Sequence, residues 1–452
     1  MATTPPPTPC PRSRTPEISR QSTDSFRNFY EAPTDTCGHD SIRGDHTDIE
    51  TSGETVTRRA SDPVGVTALV SVDHFLSHVY LLALPPLFPI LASVVETTVT
   101  RLAVAVTLIY AAQFLCQIPA GELVDRVGGK RVVGGGLALT AVSVGLLGFA
   151  TSYRHVLALA FLSGVGQAAF HPGNYALLDV AGDAATEGRQ FSVHTFSGFV
   201  GFAAAPALMT GLTAVADWRT AFLTVGAGGL LYAAVFAASL APIHRRTIAD
   251  APDAPALATD GGQFESVRLL RRPLVAGMFA FFLLVTLADT GFQTYTTTLA
   301  VDLGHSTAVG NTALTAFLAA AAVFVLVGGW LADRYDGFAI IVASVCWSAV
   351  VLWAGLAVDL TPVALVLVWS AAGAGFGLTL PARDRITNAL SDSADTGKSF
   401  GIVYTGLPIG GALAPVLLGQ VIDVSGQAAA FEVIAALFLA AALVVLVLRR
   451  WR

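Results

Sequence analysis

The chain has 452 residues, of which 54% are hydrophobic and 13% charged, with a formal net charge of −6. Soluble domains carry about 25% charged residues, so a water-soluble globular chain is excluded, and the mildly acidic balance argues against a nucleic-acid partner. The four cysteines, Cys10, Cys37, Cys116 and Cys346, form no disulfide framework and no metal motif, so neither a metal nor another cofactor is expected.

Residues 1–62 are rich in Pro, Thr, Ser and Asp with almost no apolar cluster. Such a segment buries too little surface to offset its ordering entropy and is expected to be a disordered cytoplasmic tail. It also lacks the short apolar core of a cleavable signal peptide. From Val64 onward, apolar stretches of about 20 residues, enough to cross the hydrocarbon of a bilayer, recur between short polar breaks. Twelve spans are expected, beginning near Val64, Leu102, Val132, His155, Gln190, Thr220, Leu274, Thr307, Phe338, Pro362, Ser399 and Ala428. The first six fill residues 63–241 and the last six 273–452, joined by a polar, proline-bearing cytoplasmic linker at 242–272. The expected fold is all-α and integral to the membrane, with two six-helix bundles.

Twelve spans return both ends of the chain to one side. Sixteen Arg and Lys fall on that side of the spans, against three, Arg101, Arg154 and Arg219, on the other. The positive-inside rule makes the terminus-bearing side cytoplasmic.

Span 1 carries Asp73, placed by nine residues of helical rise about 14 Å deep, near the midplane. Ser77 and Tyr80 share its face, and His74 and His78 lie on the adjoining flank. An ionised side chain at a helix centre costs about 2.5–3.5 kcal/mol on insertion scales, so Asp73 is the leading functional candidate. A hydrogen bond that only organises packing is the alternative. After span 2 comes Gly121-Glu122-Leu123-Val124-Asp125-Arg126-Val127-Gly128-Gly129-Lys130-Arg131. Its glycines let helix ends approach, its aspartate can accept from helix N-terminal amides, and its cations suit a cytoplasmic surface. This is either a conformational latch or topogenic charge in a tight turn.

In span 4, Gln167, His171 and Asn174 fall on one face with Tyr175 beside them, and Pro172 can bend the helix. His171 is either a proton carrier or a backbone-bonded histidine at a helix end. Span 7 repeats the spacing of span 1 with Asp289, Gln293 and Thr296, so the two aspartates are expected to face each other. At the close of span 10, Arg383 either meets an anionic group or snorkels to the cytoplasm beside Asp384 and Arg385. His194 in span 5 and Tyr404 in span 11 carry a similar ambiguity.

Residues 164–206 return 209 positions later: Gly164, Gly166, Pro172, Gly188, Phe191 and Pro206 reappear as Gly373, Gly375, Pro381, Gly397, Phe400 and Pro415. Upstream, Gly121, Asp125 and Arg126 return as Gly329, Asp333 and Arg334 at a shift of 208. Internal repeats in an apolar chain point to transport, and six spans per copy put the repeat axis along the membrane normal.

The Gly121–Arg131 loop and its echo, Gly329-Trp330-Leu331-Ala332-Asp333-Arg334-Tyr335-Asp336-Gly337, resemble the signature loops of the major facilitator superfamily. They stand between spans 2 and 3 and between spans 8 and 9, as in that family, and the resemblance covers everything except the tail. It implies a rocker-switch transporter whose cavity, lined mainly by spans 1, 4, 7 and 10, opens alternately to each side. It also implies for Asp125 a part in holding the outward-facing state. The candidate cavity set is Asp73, His74, Ser77, His78, Tyr80, Gln167, His171, Asn174, Asp289, Gln293 and Arg383; the latch set is Gly121, Asp125, Arg126, Gly128, Lys130, Asp333 and Arg334.

The run Phe170-His171-Pro172 resembles fosmidomycin-resistance-like permeases, and Gly198, Gly201, Pro206 and Gly211 are similar to part of the Gly-Pro motif of drug/proton antiporters. The span 4 arginine of those antiporters is absent, its place being apolar near Ala160. Gly397-Lys398-Ser399 has Asp392 where a phosphate-binding loop needs glycine, so no ATPase is inferred. The expected activity is not enzymatic but proton-coupled efflux of a small organic solute. Proton-coupled uptake, facilitated passage and solute sensing without turnover are the alternatives. Expected partners are the solute, protons and the lipid bilayer, with the chain a monomer in the cell membrane.

Overall fold

A computed structural model describes residues 63–181, 187–240, 268–389 and 401–450. The 1–62 tail, linker residues 242–267 and the Gly397-Lys398-Ser399 run lie outside the described residues. A helix bonds its own N–H and C=O groups, as hydrocarbon requires, and every regular element among the described residues is helical. Twelve are long and apolar enough to cross a membrane. Spans 1 to 6 are Val64–Val94, Val99–Val127, Gly129–Phe149, Tyr153–Asp179, Gly188–Val215 and Trp218–Ser239. Spans 7 to 12 are Pro273–Asp302, Thr307–Ala332, Gly337–Leu356, Pro362–Thr387, Gly401–Ser425 and Gln427–Arg449. The expected starts are met within three residues, the widest gaps being Val99 for Leu102 and Gly129 for Val132.

The repeat in the sequence is a repeat in packing. Spans 1 and 5, 2 and 4, and 3 and 6 pack in the first bundle as 7 and 11, 8 and 10, and 9 and 12 do in the second. Small residues set the contacts, because helices in lipid associate by close van der Waals approach. A Cβ on Gly164 would strike Ile109 of span 2, and one on its equivalent Gly373 would strike Phe317 of span 8. Likewise Gly166 abuts Thr140 and Gly375 abuts Ser348. Even a hydrogen bond repeats: Thr140 Oγ1 donates to Ser163 O at 3.4 Å, and Ser348 Oγ to Ala372 O at 2.8 Å. Spans 2 and 11, and spans 5 and 8, join the bundles.

Spans 1, 4 and 11 are interrupted where the chain carries proline, span 11 at Thr405 just before Pro408. Span 1 runs as a helix over Pro63–Leu81, continues as the short 3-10 turn Pro85–Leu87 and resumes at Phe88–Val94. Span 4 stops at Gln167 and restarts at Phe170. Pro172 supplies no N–H and its ring crowds the carbonyl four residues back, that of Ala168, where the break falls. Pro381, its repeat partner, sits inside an unbroken helix.

Candidate transport site

Asp73 lies on a buried face of span 1 with Val66, Val70, Ser77 and Tyr80, and is itself 0% exposed. Asn174, delivered by the restarted half of span 4, interacts with its carboxyl. The approach is too loose for a hydrogen bond: both Asp73 oxygens and both Asn174 amide atoms are without a partner. A buried polar group in that condition is uncommon and costs free energy. The rest of the expected stripe does bond. Ser77 Oγ donates to His74 O at 2.9 Å, Gln167 Nε2 donates to Ser77 O at 2.8 Å, and Tyr80 Oη donates to Val225 O of span 6 at 3.1 Å. Tyr80 and Gln167 therefore tie helices together inside the first bundle, while the Ser77 hydroxyl bonds within its own helix.

On the adjoining flank four imidazoles gather. His74 stacks on His194 with ring centres 4.0 Å apart, meets His78 edge-on at 4.4 Å and stands 5.7 Å from His171. His74 Nδ1 donates to His194 O at 2.7 Å, the only role open to it against a carbonyl. His74 Nε2, His78 Nδ1 and both nitrogens of His194 are buried without a partner. Tyr175 closes the group, 5.8 Å from both His171 and His194. The cluster exists because Gly198 and Gly201 seat span 5 directly on span 1: a Cβ at Gly198 would lie 2.7 Å from His74 Cε1. Among the described residues no group of three or more His, Cys, Asp or Glu is arranged to hold a metal ion.

The second bundle differs. Asp289 Oδ2 accepts from Gln293 Nε2 one turn along the same helix at 2.8 Å, while Oδ1 is buried without a partner. The glycine contacts of spans 5 and 11 relate span 1 to span 7 by 208 residues, Phe75 and His78 answering to Leu283 and Thr286, which puts Phe281, not Asp289, at the place equivalent to Asp73. Arg383, the repeat partner of Asn174, lies 4.5 Å over the Phe282 ring. Its Nε donates to Asp384 Oδ1 at 2.8 Å, and Tyr404 Oη donates to the same oxygen at 2.7 Å. With 13% of its side chain exposed, Arg383 does not reach out to an interface. Tyr175 is within electrostatic reach of Asp384 and Tyr404, so the two clusters confront each other across the bundle boundary.

Hydrogen bonds seen between the bundles lie toward the end away from the termini. Thr100 Oγ1 donates to Asp423 Oδ1 at 2.8 Å and Thr107 Oγ1 to Ala412 O at 2.7 Å. Asn311 Nδ2 donates to Thr210 Oγ1 at 2.7 Å and to Pro86 O at 3.1 Å.

The two latch loops differ at the other end. Asp125 is exposed, and Arg126 pairs with Glu122 at 3.6 Å in an open surface contact. Lys130 is half-buried. Gly128 caps span 2 at φ 87°, a left-handed conformation that favours glycine, and donates to Val124 O at 2.8 Å. Gly121 is in no tight contact, its Cβ position lying 3.8 Å from Pro172. In the echo, Asp333 accepts from Arg385 Nη1 at 3.3 Å, and Arg385 also donates to Ala332 O. Arg334 folds back on Trp330, 4.3 Å over its ring. Ala176 occupies the place equivalent to Arg385, so the first loop has no such tie.

A paired, repeated six-span architecture with buried polar clusters between lipid-facing surfaces defines a membrane transporter. The chain belongs to the Major Facilitator Superfamily, whose family profile matches residues 74–310 and 278–451. It is 26% identical over 387 residues to the "Uncharacterized MFS-type transporter YfnC" of Bacillus subtilis, covering 82% of this chain and 90% of that one. It is also 23% identical over 119 residues to the "Probable L-galactonate transporter" of Escherichia coli, 26% of each chain. Solved structures share the fold. A bacterial homologue of the human lysosomal transporter Spinster, inward-facing and unoccupied, superposes with a TM-score of 0.66 at 14% identity, over 85% of this chain and 95% of that one. A point mutant of the nucleoside transporter NupG gives 0.65 at 13% identity, over 84% and 99%. The chain is a multi-pass membrane transporter of a solute.

Proposed function

We propose that this transporter is secondary active and exports a small organic solute in exchange for protons, its two bundles rocking about a central site. The observation that carries the reading is Asp73: a carboxyl inside span 1, fully buried, without a hydrogen-bond partner, next in the chain to His74 of the four-imidazole cluster. Such a group is costly to keep charged in this setting, and the cost is relieved when a proton binds. His74, His78 and His194 supply ring nitrogens without partners on the adjoining flank of span 1, and His171 stands beside them. Span 5 supports the efflux direction, since Gly198 and Gly201 of its antiporter-like motif are the residues that seat it on the histidines.

In this reading the terminus-bearing side is cytoplasmic, the bonds of Thr100, Thr107 and Asn311 close the outer gate, and the conformation opens inward. The exposed Asp125 is then a released latch. Asp73→Asn, reconstituted with a solute selected by thermal-shift screening of sugars, organic acids, amines and antibiotics, is expected to lose pH-driven accumulation while keeping counterflow. Wild-type accumulation by that variant would remove Asp73 as the coupling site.

A further inference from the structure

The repeat gives the two bundles opposite chemistries at matching places. Where the first bundle has Asn174, which reaches toward Asp73, the second has Arg383, which lies over Phe282; where the first has Tyr175, the second has Asp384. The first half thus gathers the imidazoles, and the second holds a fixed cation within electrostatic reach of Asp289 and Asp384. That cation is unusually well placed. Its guanidinium lies 4.5 Å over Phe282 and 5.9 Å from the Tyr404 ring centre. Asp384 takes its Nε, and that same Asp384 oxygen also accepts from Tyr404. The guanidinium is a planar fork with five N–H donors, more than Asp384 and Tyr404 together take, so the remaining donors can receive an oxyanion. Asp384 itself is 41% exposed at the side chain, so the pair opens toward water rather than closing into the helix packing.

We propose that Arg383 docks the carboxylate of the transported solute, so that the substrate class is an organic carboxylate anion. Asp384 and Tyr404 are positioning residues that hold the guanidinium and occupy it until the solute competes. The inference rests on the transporter reading above, but it concerns equilibrium binding and needs neither turnover nor a proton gradient. It is therefore tested apart from Asp73.

Benzoate and its uncharged isostere benzamide serve as probes of the purified full chain in lipid nanodiscs by calorimetry. Benzoate is expected to bind and benzamide not. Arg383→Gln is expected to weaken benzoate by about tenfold or more, the loss of a charge-assisted contact, with Arg383→Lys in between. Asp384→Asn is expected to tighten benzoate, because the competing carboxylate is gone. That rise separates docking from a purely structural ion pair, in which removing either partner would only destabilise the fold. The proposal is overturned if benzoate and benzamide bind alike, if neither binds, if Arg383→Gln keeps wild-type affinity, or if Asp384→Asn weakens benzoate.

Discussion

At the scale of single residues, the side chains that bear chemistry are held in place by residues that have none. Gly201 is the clearest case, because a Cβ there would run into the backbone carbonyl of Phe75 and lie 3.1 Å from His78 Cβ. Its repeat partner Gly410 meets Leu283 O at 2.8 Å and Thr286 Cβ at 3.0 Å in the same way. Backbone does not swing aside as a flexible side chain would, so Gly201→Ala must push spans 1 and 5 apart and disperse the imidazoles. Overpacking of this kind costs about 1–3 kcal/mol. Gly211, farther along the same helix, has nothing within 4 Å of the place a methyl would take. Gly211→Ala should be neutral or stabilising by up to ~1 kcal/mol, since it only removes glycine's backbone freedom. Thermal melts of the two purified variants should therefore diverge, with Gly201→Ala lower; coincident melting curves would refute the tight seat.

Between helices, the ends decide which state is held. The two latch loops are copies in sequence but not in bonding: both aspartates are exposed, yet Asp333 meets Arg385 of span 10 in a surface pair, whereas Arg126 turns to Glu122 on its own helix. If Asp125 engages a helix end only in the outward-open state, Asp125→Asn should shift the population further toward the inward-open one. Cysteine labelling at the terminus-bearing end should then rise and transport fall, and unchanged values of both would discard the latch. The sequence carried the span positions, the repeat and the loop, since each is a pattern of glycines, charges or apolar length that needs no partner to be recognised. Contacts made by distant segments were another matter. His194 joins His74 across 120 residues because span 5 returns to span 1, which spacing within either helix does not disclose. Tyr80 shares a face with Asp73 but spends its hydroxyl on span 6. Asp289 matches the i, i+4, i+7 pattern of Asp73, yet the glycine contacts set the register: Phe75 and His78 on Gly201 correspond to Leu283 and Thr286 on Gly410, which makes Phe281, two turns before Asp289, the equivalent of Asp73.

For the whole molecule, the question is whether the bundles move as two bodies. Each is internally locked by glycine contacts and by repeated hydrogen bonds such as those of Thr140 and Ser348. The ties between them are few and lie toward the end away from the termini, so opening that end requires breaking the contacts of Thr100, Thr107 and Asn311 while leaving the bundle interiors intact. A covalent bridge there should stop alternation without unfolding anything. Thr100 and Asp423, whose side-chain oxygens are 2.8 Å apart, can be replaced by cysteine in a background where Cys10, Cys37, Cys116 and Cys346 are serine, and joined by a short thiol cross-linker. Turnover in proteoliposomes should be lost on cross-linking and return when a cleavable linker is cut, while solute binding from the terminus-bearing side persists. The control is a bridge inside one bundle, Ser348→Cys with Ala372→Cys between spans 9 and 10, which should leave turnover near the unbridged level. Full turnover by the Thr100–Asp423 bridged protein would mean that the far end need not open, and rocking of rigid bundles would have to be abandoned for motions within them.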